Sequence, residues 1–103
     1  NQKRDDTSGD QTQTASQGYN GLAVCDMAEG NYDSALENIS SGISIASDDE
    51  MQSLLFNEIV AYEKKLDFST AQEKAVSYVG MYPEDEEAAK ELDFLKSRTG
   101  SNE

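Results

Sequence analysis

The sequence predicts an all-α fold of antiparallel helix–turn–helix repeats, with about five helices. The first observation is a motif that recurs after 36 residues. It combines a helix-capping residue, an aromatic residue and an alanine, and its copies are Asn31, Tyr32 and Ala35, then Asp67, Phe68 and Ala71. The second observation is that apolar residues recur at helical spacing on both sides of each copy. The third is that two acidic helix starts, Asp48-Asp49-Glu50 and Glu84-Asp85-Glu86, are also 36 residues apart.

The N-terminal segment, residues 1–18, is predicted to be a disordered polar tail. Its only apolar side chain is Ala15. The segment therefore has too little apolar surface to offset the conformational entropy that it would lose on folding. Such a tail suits a tether between an anchored N-terminus and a folded module, as in an exported bacterial lipoprotein whose signal peptide has been removed. A cytoplasmic location and an arbitrary chain boundary are the alternatives.

Five helices follow from the apolar stripes and from the residues at their ends. Their approximate ranges are 19–29, 32–46, 48–65, 68–82 and 84–98. Gly30 ends the first helix, because glycine adopts a left-handed conformation easily. Ser47 and Glu50 match a capping box at the start of the third helix. Pro83 ends the fourth helix, because proline cannot continue it.

These helices are grouped into one domain, about residues 19–98. The predicted divisions are repeat one at 19–47, repeat two at 48–83, a capping helix at 84–98 and a C-terminal tail at 99–103. The last helix carries Ala88, Leu92 and Leu95 on one face and polar residues on the other. This pattern is typical of a helix that closes the open end of a repeat array.

The two repeats resemble the tetratricopeptide repeat (TPR) family. Repeat one contributes Tyr19, Leu22, Ala23, Gly30, Tyr32, Ala35, Ile39 and Gly42 to this resemblance. Repeat two contributes Leu55, Ile59, Tyr62, Phe68, Ala71, Ala75 and Pro83. The repeats depart from one another where Glu58 stands opposite Leu22 and Asp26 opposite Tyr62. The resemblance implies a TPR-like α-solenoid of two repeats and a C-terminal capping helix.

The chain is strongly acidic, with 21 Asp and Glu against 8 Lys and Arg and a net charge of −13. No Lys or Arg occurs between Arg4 and Lys64. This charge disfavours nucleic acid and anionic lipid as partners, because their phosphates repel it. No apolar run approaches the roughly 20 residues that a membrane span needs, so membrane insertion is not expected. The acidic surface either keeps the protein soluble or receives a basic partner.

No catalytic, cofactor-binding or metal-binding residue is predicted. The sequence has no histidine, no nucleophile-elbow motif and no glycine-rich phosphate loop. Its carboxylates fall on polar helix faces and helix starts, where nothing indicates the apolar enclosure that raises a carboxyl pKa. Cys25 is the single cysteine and is predicted to be a small buried hydrophobic residue. A thiol-dependent activity at Cys25 is the remote alternative.

The TPR resemblance implies that the first helix of each repeat lines a concave face, which receives a peptide or a partner helix. The residues that correspond to this face are Asn20, Val24, Met27, Phe56, Asn57, Val60 and Glu63. Some family members grip a C-terminal carboxylate there, but only Asn20 and Asn57 match those positions, so a carboxylate clamp is rejected. Ordinary packing is the competing interpretation of Val24, Met27 and Phe56.

The predicted function is therefore that of a non-enzymatic protein–protein interaction module. Its partner would be an extended or helical segment with apolar anchors and basic flanks, because the predicted groove is apolar with an acidic rim. The alternative is a structural unit that self-associates through its exposed helix faces. The sequence leaves the identity of the partner and the oligomeric state open.

Overall fold

A computed structural model describes the backbone of residues 8–99 and the side chains of residues 15–99. These residues form five α-helices and no strand: α1 (Ser8–Ala28), α2 (Tyr32–Ile43), α3 (Asp48–Lys64), α4 (Phe68–Met81) and α5 (Glu86–Thr99). The predicted all-α class is confirmed.

Helix α1 begins at Ser8, well before the predicted start at Tyr19. The structure thus places residues 8–18, which the sequence predicts to be a polar tail, in α1. Residues 1–7 lie outside the described part of the chain. Tertiary contacts are present near the end of this segment, where Ser16 is fully buried and the Gln17 amide donates a 3.2 Å hydrogen bond to Glu50 of α3. A polar segment can join a helix when packing stabilises it.

The other four helices lie within three residues of their predicted limits. The largest difference is at α2, which ends at Ile43 instead of residue 46. Beyond it the Ser44 hydroxyl donates a 2.7 Å hydrogen bond to the Ser41 carbonyl, and such side-chain bonds compete with helix continuation. Of the predicted tail 99–103, Thr99 belongs to α5 and the remaining four residues are outside the described part.

The chain divides into two compact units, and the boundary falls inside α3, between Leu54 and Leu55. The first unit contains α1, α2 and the beginning of α3. The second contains the remainder of α3 with α4 and α5. The predicted boundary between the repeats, at residues 47 and 48, lies at the start of the same helix.

The core of the first unit consists mostly of small side chains. Its fully or nearly fully buried residues are Ser16, Ala23, Ala35, Ile39, Gly42 and Leu54. Packing is close at Gly42 of α2, where an added Cβ would lie 3.0 Å from a Leu54 methyl group and 3.2 Å from the Tyr19 Cβ. Gly42 therefore allows α1, α2 and the start of α3 to approach closely.

The core of the second unit also contains several alanines, and it includes one buried aromatic ring, Tyr78, with further rings packed around it. Its buried members are Ile59, Ala71, Ala75, Tyr78, Ala88 and Leu95, with Leu55, Phe56, Tyr62, Phe68, Val79, Tyr82 and Leu92 packed against them. The Tyr78 ring lies 5.7 Å from the Phe56 ring and 4.8 Å from the Tyr82 ring, measured between centroids. Its hydroxyl donates a 2.6 Å hydrogen bond to Asp85, which satisfies the one polar group of this buried ring.

Each unit contains one tight corner between consecutive helices, and the two corners share a backbone hydrogen-bond pattern. In the first unit the Asn31 N–H donates to the Asp26 carbonyl at 2.8 Å. In the second unit the Asp67 N–H donates to the Tyr62 carbonyl at 2.9 Å. The two bonds close equivalent turns at the C-terminal ends of two helices. These turns are 36 residues apart, which is the spacing of the recurring motif.

The side chains at the two corners differ. Gly30 has φ 84° in the first corner, and Leu66 has φ 68° in the second. Leu66 is the one non-glycine residue with positive φ in the described part of the chain. Asp67 caps α4 by accepting a 3.3 Å hydrogen bond from the Thr70 N–H, whereas the Asn31 side chain makes no such bond to α2.

Candidate functional site

The predicted contact residues of the first unit lie along one face of α1. Asn20, Val24 and Met27 are separated by four and three residues, which is the spacing of one helix face. Val24 is 50% exposed and Met27 is half-buried. The Asn20 amide donates a 2.8 Å hydrogen bond to the Ser53 hydroxyl, so it links α1 to α3. Of these three residues, Val24 is the one with an exposed apolar side chain.

Another part of α1 is also exposed, and it includes Cys25. The prediction that Cys25 is buried is wrong. Ala23 is buried, and a position two residues later points roughly 200° around the helix from it. Leu22, 54% exposed, and Gly18 are on the surface with Cys25. Residues 11–25 carry no charged side chain, so this surface is uncharged within a strongly acidic chain.

The predicted contact residues of the second unit, Phe56, Asn57, Val60 and Glu63, are all half-buried on α3. Phe56 packs against the core of its own unit, with its ring edge-on to the ring of Tyr78 at an interplanar angle of 64°. The ring therefore stabilises the second unit.

Glu63 has an unusual environment. Its Oε2 atom is buried and has no hydrogen-bond partner. Burial raises the pKa of Glu63 to about 8, and the neighbouring Glu91 carboxyl adds to the rise while Lys64 opposes it. The interpretation that the carboxylates lack an enclosing environment is therefore wrong for Glu63.

Sequence reasoning did not single out Glu91. It lies on the side of the last helix that the pattern marks as polar, and it is 28 residues from Glu63. No local spacing connects the two residues, because only the packing of α5 against α3 brings their carboxyls together. A single sequence contains no local pattern that reveals two acidic residues lying close together on different helices.

Glu58 occupies a second partly enclosed acidic position on α3. Burial raises the pKa of Glu58 above its usual value, and the Lys74 ammonium of α4 opposes this rise. The Lys74 Nζ lies 3.7 Å from Glu58 Oε2, and 42% of the Lys74 side chain is exposed. Because solvent screens an ion pair of this kind, its contribution to stability is small.

Within residues 15–99, no three acidic or cysteine side chains converge in a way that could hold a metal ion. Of the five described helices, none combines the length and apolar character that crossing a bilayer requires. Val24 is one of several large apolar side chains that are exposed in the described part of the chain; the others are Leu22, Ile45, Leu66, Val76, Met81 and Phe94.

No family model matches the chain, and no curated protein or solved structure shows significant similarity to it. The TPR resemblance thus depends on the residues that carry it. The repeated corner, with equivalent hydrogen bonds at Asn31 and Asp67, is the local structure that accompanies those residues.

Proposed function

We propose that this chain is a non-enzymatic protein–protein interaction module built from two TPR-like repeats and a capping helix. Support for the repeat comes from the two corners, whose backbone hydrogen bonds recur after 36 residues. Support for the capping role of α5 comes from its one-sided burial, with Ala88 and Leu95 buried and Asp93 and Ser97 exposed.

The observation that carries the proposal is the exposed apolar side chain of Val24 on α1. Met27 lies one turn further along the same face and Asn20 one turn before it, so an incoming segment meets a continuous strip of α1. A peptide or helix with an apolar anchor would bury Val24 and remove its surface from water. Phe56 and Glu63 would contribute indirectly, since both serve the packing of the second unit.

The charge of the first unit favours a basic partner. Residues 19–49 contain six acidic side chains and no Lys or Arg. Attraction between this surface and Lys or Arg residues of a partner would speed association and select against acidic competitors. Binding should therefore weaken as salt concentration increases, because salt screens charges at the surface.

An affinity capture with matched variants tests this proposal. The wild-type chain, Val24→Asp and Val76→Asp serve as three baits. Val24 and Val76 are 50% and 51% exposed, so the two substitutions make the same chemical change at equal exposure on different helices. The captured partner is then purified, and its affinity for each bait is measured at low and high salt.

Binding through α1 predicts a partner that is retained by the wild type and by Val76→Asp but lost with Val24→Asp. Its affinity for the wild type should fall as salt increases. Equal retention by all three baits would contradict the α1 surface, and the absence of any specific partner would contradict the interaction module. Circular dichroism of each bait confirms that the substitutions leave the helices intact.

Self-association is the second candidate, and the uncharged surface of α1 around Leu22 favours it. Two copies of a chain with net charge −13 repel one another, so a contact between them is most favourable where both surfaces lack charge. Sedimentation velocity over a range of concentrations would detect it. Leu22→Asp should then abolish association, while Met81→Asp, at a residue with the same 54% exposure on α4, should not. A monomer at every concentration would exclude this candidate.

A further inference from the structure

Leu66, in the corner between α3 and α4, has a backbone conformation that favours glycine. Its φ is 68°, and the equivalent residue of the first corner is Gly30, with φ 84°. A leucine is strained in this conformation because of its Cβ, and a side chain that is 71% exposed recovers little by burial. Stability therefore does not explain a leucine here, and strained residues of this kind concentrate at functional sites.

Arg98, in the last turn of α5, is held by two aromatic rings. Its guanidinium carbon lies 5.1 Å from the centroid of the Phe68 ring and 5.7 Å from that of the Phe94 ring. The Thr99 hydroxyl donates a 2.5 Å hydrogen bond to the Gln72 side chain, which fixes the same turn to α4. A side chain that is already held in place loses less conformational entropy when it binds a ligand.

The Arg98 guanidinium lacks an anionic partner in the described structure. No carboxylate among residues 15–99 forms an ion pair with it, although the chain contains 21 acidic residues. Asp67, which precedes Phe68, instead accepts a hydrogen bond from the Thr70 N–H. Arg98 is exposed, and the planar fork of N–H donors on a guanidinium matches the two oxygens of a carboxylate.

The sequence around these residues is basic, in contrast with the rest of the chain. Within residues 15–99, every Lys and Arg occurs from residue 64 onward. Lys64 and Lys65 directly precede Leu66, and the segment 94–99 contains Lys96 and Arg98 but no acid. At physiological salt, surface charges more than about 8 Å apart are largely screened from one another. An incoming group therefore responds mainly to these bases and less to the net charge of the whole chain.

Leu66 and Arg98 lie at the same end of the second unit. Phe68 contacts Arg98 and is two residues from Leu66, so the Cα atoms of Phe68 and Leu66 are at most about 7.6 Å apart. Phe94, which is 47% exposed, adds an accessible ring beside the guanidinium. Arginine and aromatic side chains are the types that are enriched at protein interfaces.

We propose that Leu66, Phe94 and Arg98 form a docking site for an acidic segment of another protein. A carboxylate of that segment binds the Arg98 guanidinium, and apolar side chains next to it cover Leu66 and Phe94. The site requires a partner of opposite charge to the one proposed for Val24. Its existence therefore does not depend on binding through α1.

Nuclear magnetic resonance of the full chain, labelled with nitrogen-15, tests the proposal with defined probes. Three short synthetic peptides share a central pair of leucines and differ only in their flanking residues, which are all Glu, all Lys or all Ser. Each peptide is titrated into the protein at physiological salt. The backbone resonances of Leu66 and Phe94 and the side-chain resonance of Arg98 report on the site.

The variants separate a specific contact from a general effect of charge. Arg98→Glu is compared with Lys90→Glu, because Lys90 is an exposed base on the same helix and the net charge changes equally. Arg98→Lys retains the charge and removes the planar fork. Leu66→Gly removes the apolar side chain and relieves the backbone strain, so this variant should remain folded.

We expect saturable shifts at the three residues with the Glu-flanked peptide and none with the other two peptides. Arg98→Glu should weaken binding by about tenfold or more, and Lys90→Glu by less than about twofold. Arg98→Lys and Leu66→Gly should each weaken it by about threefold or more. No saturable shift with the Glu-flanked peptide would overturn the proposal, and so would equal weakening by the two charge reversals. If Arg98→Glu does not fold, Arg98→Lys decides, and unchanged affinity in that variant would overturn the proposal.

Discussion

The second unit buries the aromatic ring of Tyr78, whereas the buried side chains described in the first unit include no ring. In the first, Ala23, Ala35 and Gly42 are buried, and the helices approach closely. In the second, Tyr78 lies between Phe56 and Tyr82 and reaches Asp85 with its hydroxyl. The same recurring corner thus supports two kinds of core. Stability should depend on close approach in the first unit and on ring packing in the second.

The two repeats also differ in polarity at one pair of equivalent positions. Asp26 and Tyr62 occupy equivalent positions before the two corners. The Asp26 carboxylate accepts 2.8 Å hydrogen bonds from the Ser34 hydroxyl and the Asn38 amide, which tie α1 to α2. Tyr62 instead packs against the apolar core of the second unit. The first unit therefore replaces part of its apolar packing with hydrogen bonds at its surface.

The largest expected effect is at the ring in the centre of the second core. Tyr78→Ala should lower the free energy of unfolding by about 3–5 kcal/mol, because it removes a buried ring and leaves a cavity. Tyr78→Phe keeps the ring and removes only the hydrogen bond to Asp85, so it should lower stability by about 1 kcal/mol. Urea denaturation measures both values. Equal losses in the two variants would show that the hydroxyl, and not the ring, dominates at this position.

The matching test of the first unit is Gly42→Ala. The added methyl group would lie 3.0 and 3.1 Å from the two Leu54 methyl groups, so the neighbouring side chains must move by a few tenths of an ångström, and we expect a loss of about 1–3 kcal/mol. Gly80→Ala on α4 is the control, because nothing lies within 4 Å of its added methyl group. That variant should gain about 0.5–1 kcal/mol from higher helix propensity. Thermal melts of both variants check the expected difference in sign, and a stabilised Gly42→Ala would contradict close packing in the first unit.

The smallest expected effect concerns the corners. Leu66→Gly should raise the free energy of unfolding by about 0.5–1 kcal/mol, because glycine adopts the left-handed conformation without a Cβ clash. Little packing is lost, since Leu66 is 71% exposed. Gly30→Ala at the equivalent position should lower stability by about 1 kcal/mol. If chemical denaturation gives shifts of the same sign for both variants, the two corners do not impose the same conformation.

The repeated corner is the part of the structure that sequence reasoning predicted best. Its capping and aromatic residues are local signals. Gly30 ends a helix through its freedom to adopt positive φ, and Pro83 ends one because its ring cannot continue it. Helix α1 was predicted less well, because the segment around Ser16 and Gln17 is polar. Gln17 bonds to a residue of α3 more than 30 positions away, and a local pattern does not contain that partner.

The candidate site shows the same division. The helical spacing placed Asn20, Val24 and Met27 on one face of α1, but it did not reveal that Cys25 is exposed. Exposure depends on which side of the helix is covered, and several sides of α1 carry apolar or small residues. For Phe56 the apolar pattern is compatible both with a partner-contact role and with packing inside the protein. The structure shows that its ring packs against Tyr78.

By itself, the amino-acid sequence determined the all-helical class, the recurrence after 36 residues, the approximate helix limits and the acidic character. All of these depend on composition or on neighbours a few residues apart. Only the tertiary structure decided which core receives aromatic rings, where α1 begins and that Glu63 meets Glu91. These features depend on contacts between distant segments, and the free energy of such contacts depends on the burial and distance that folding creates.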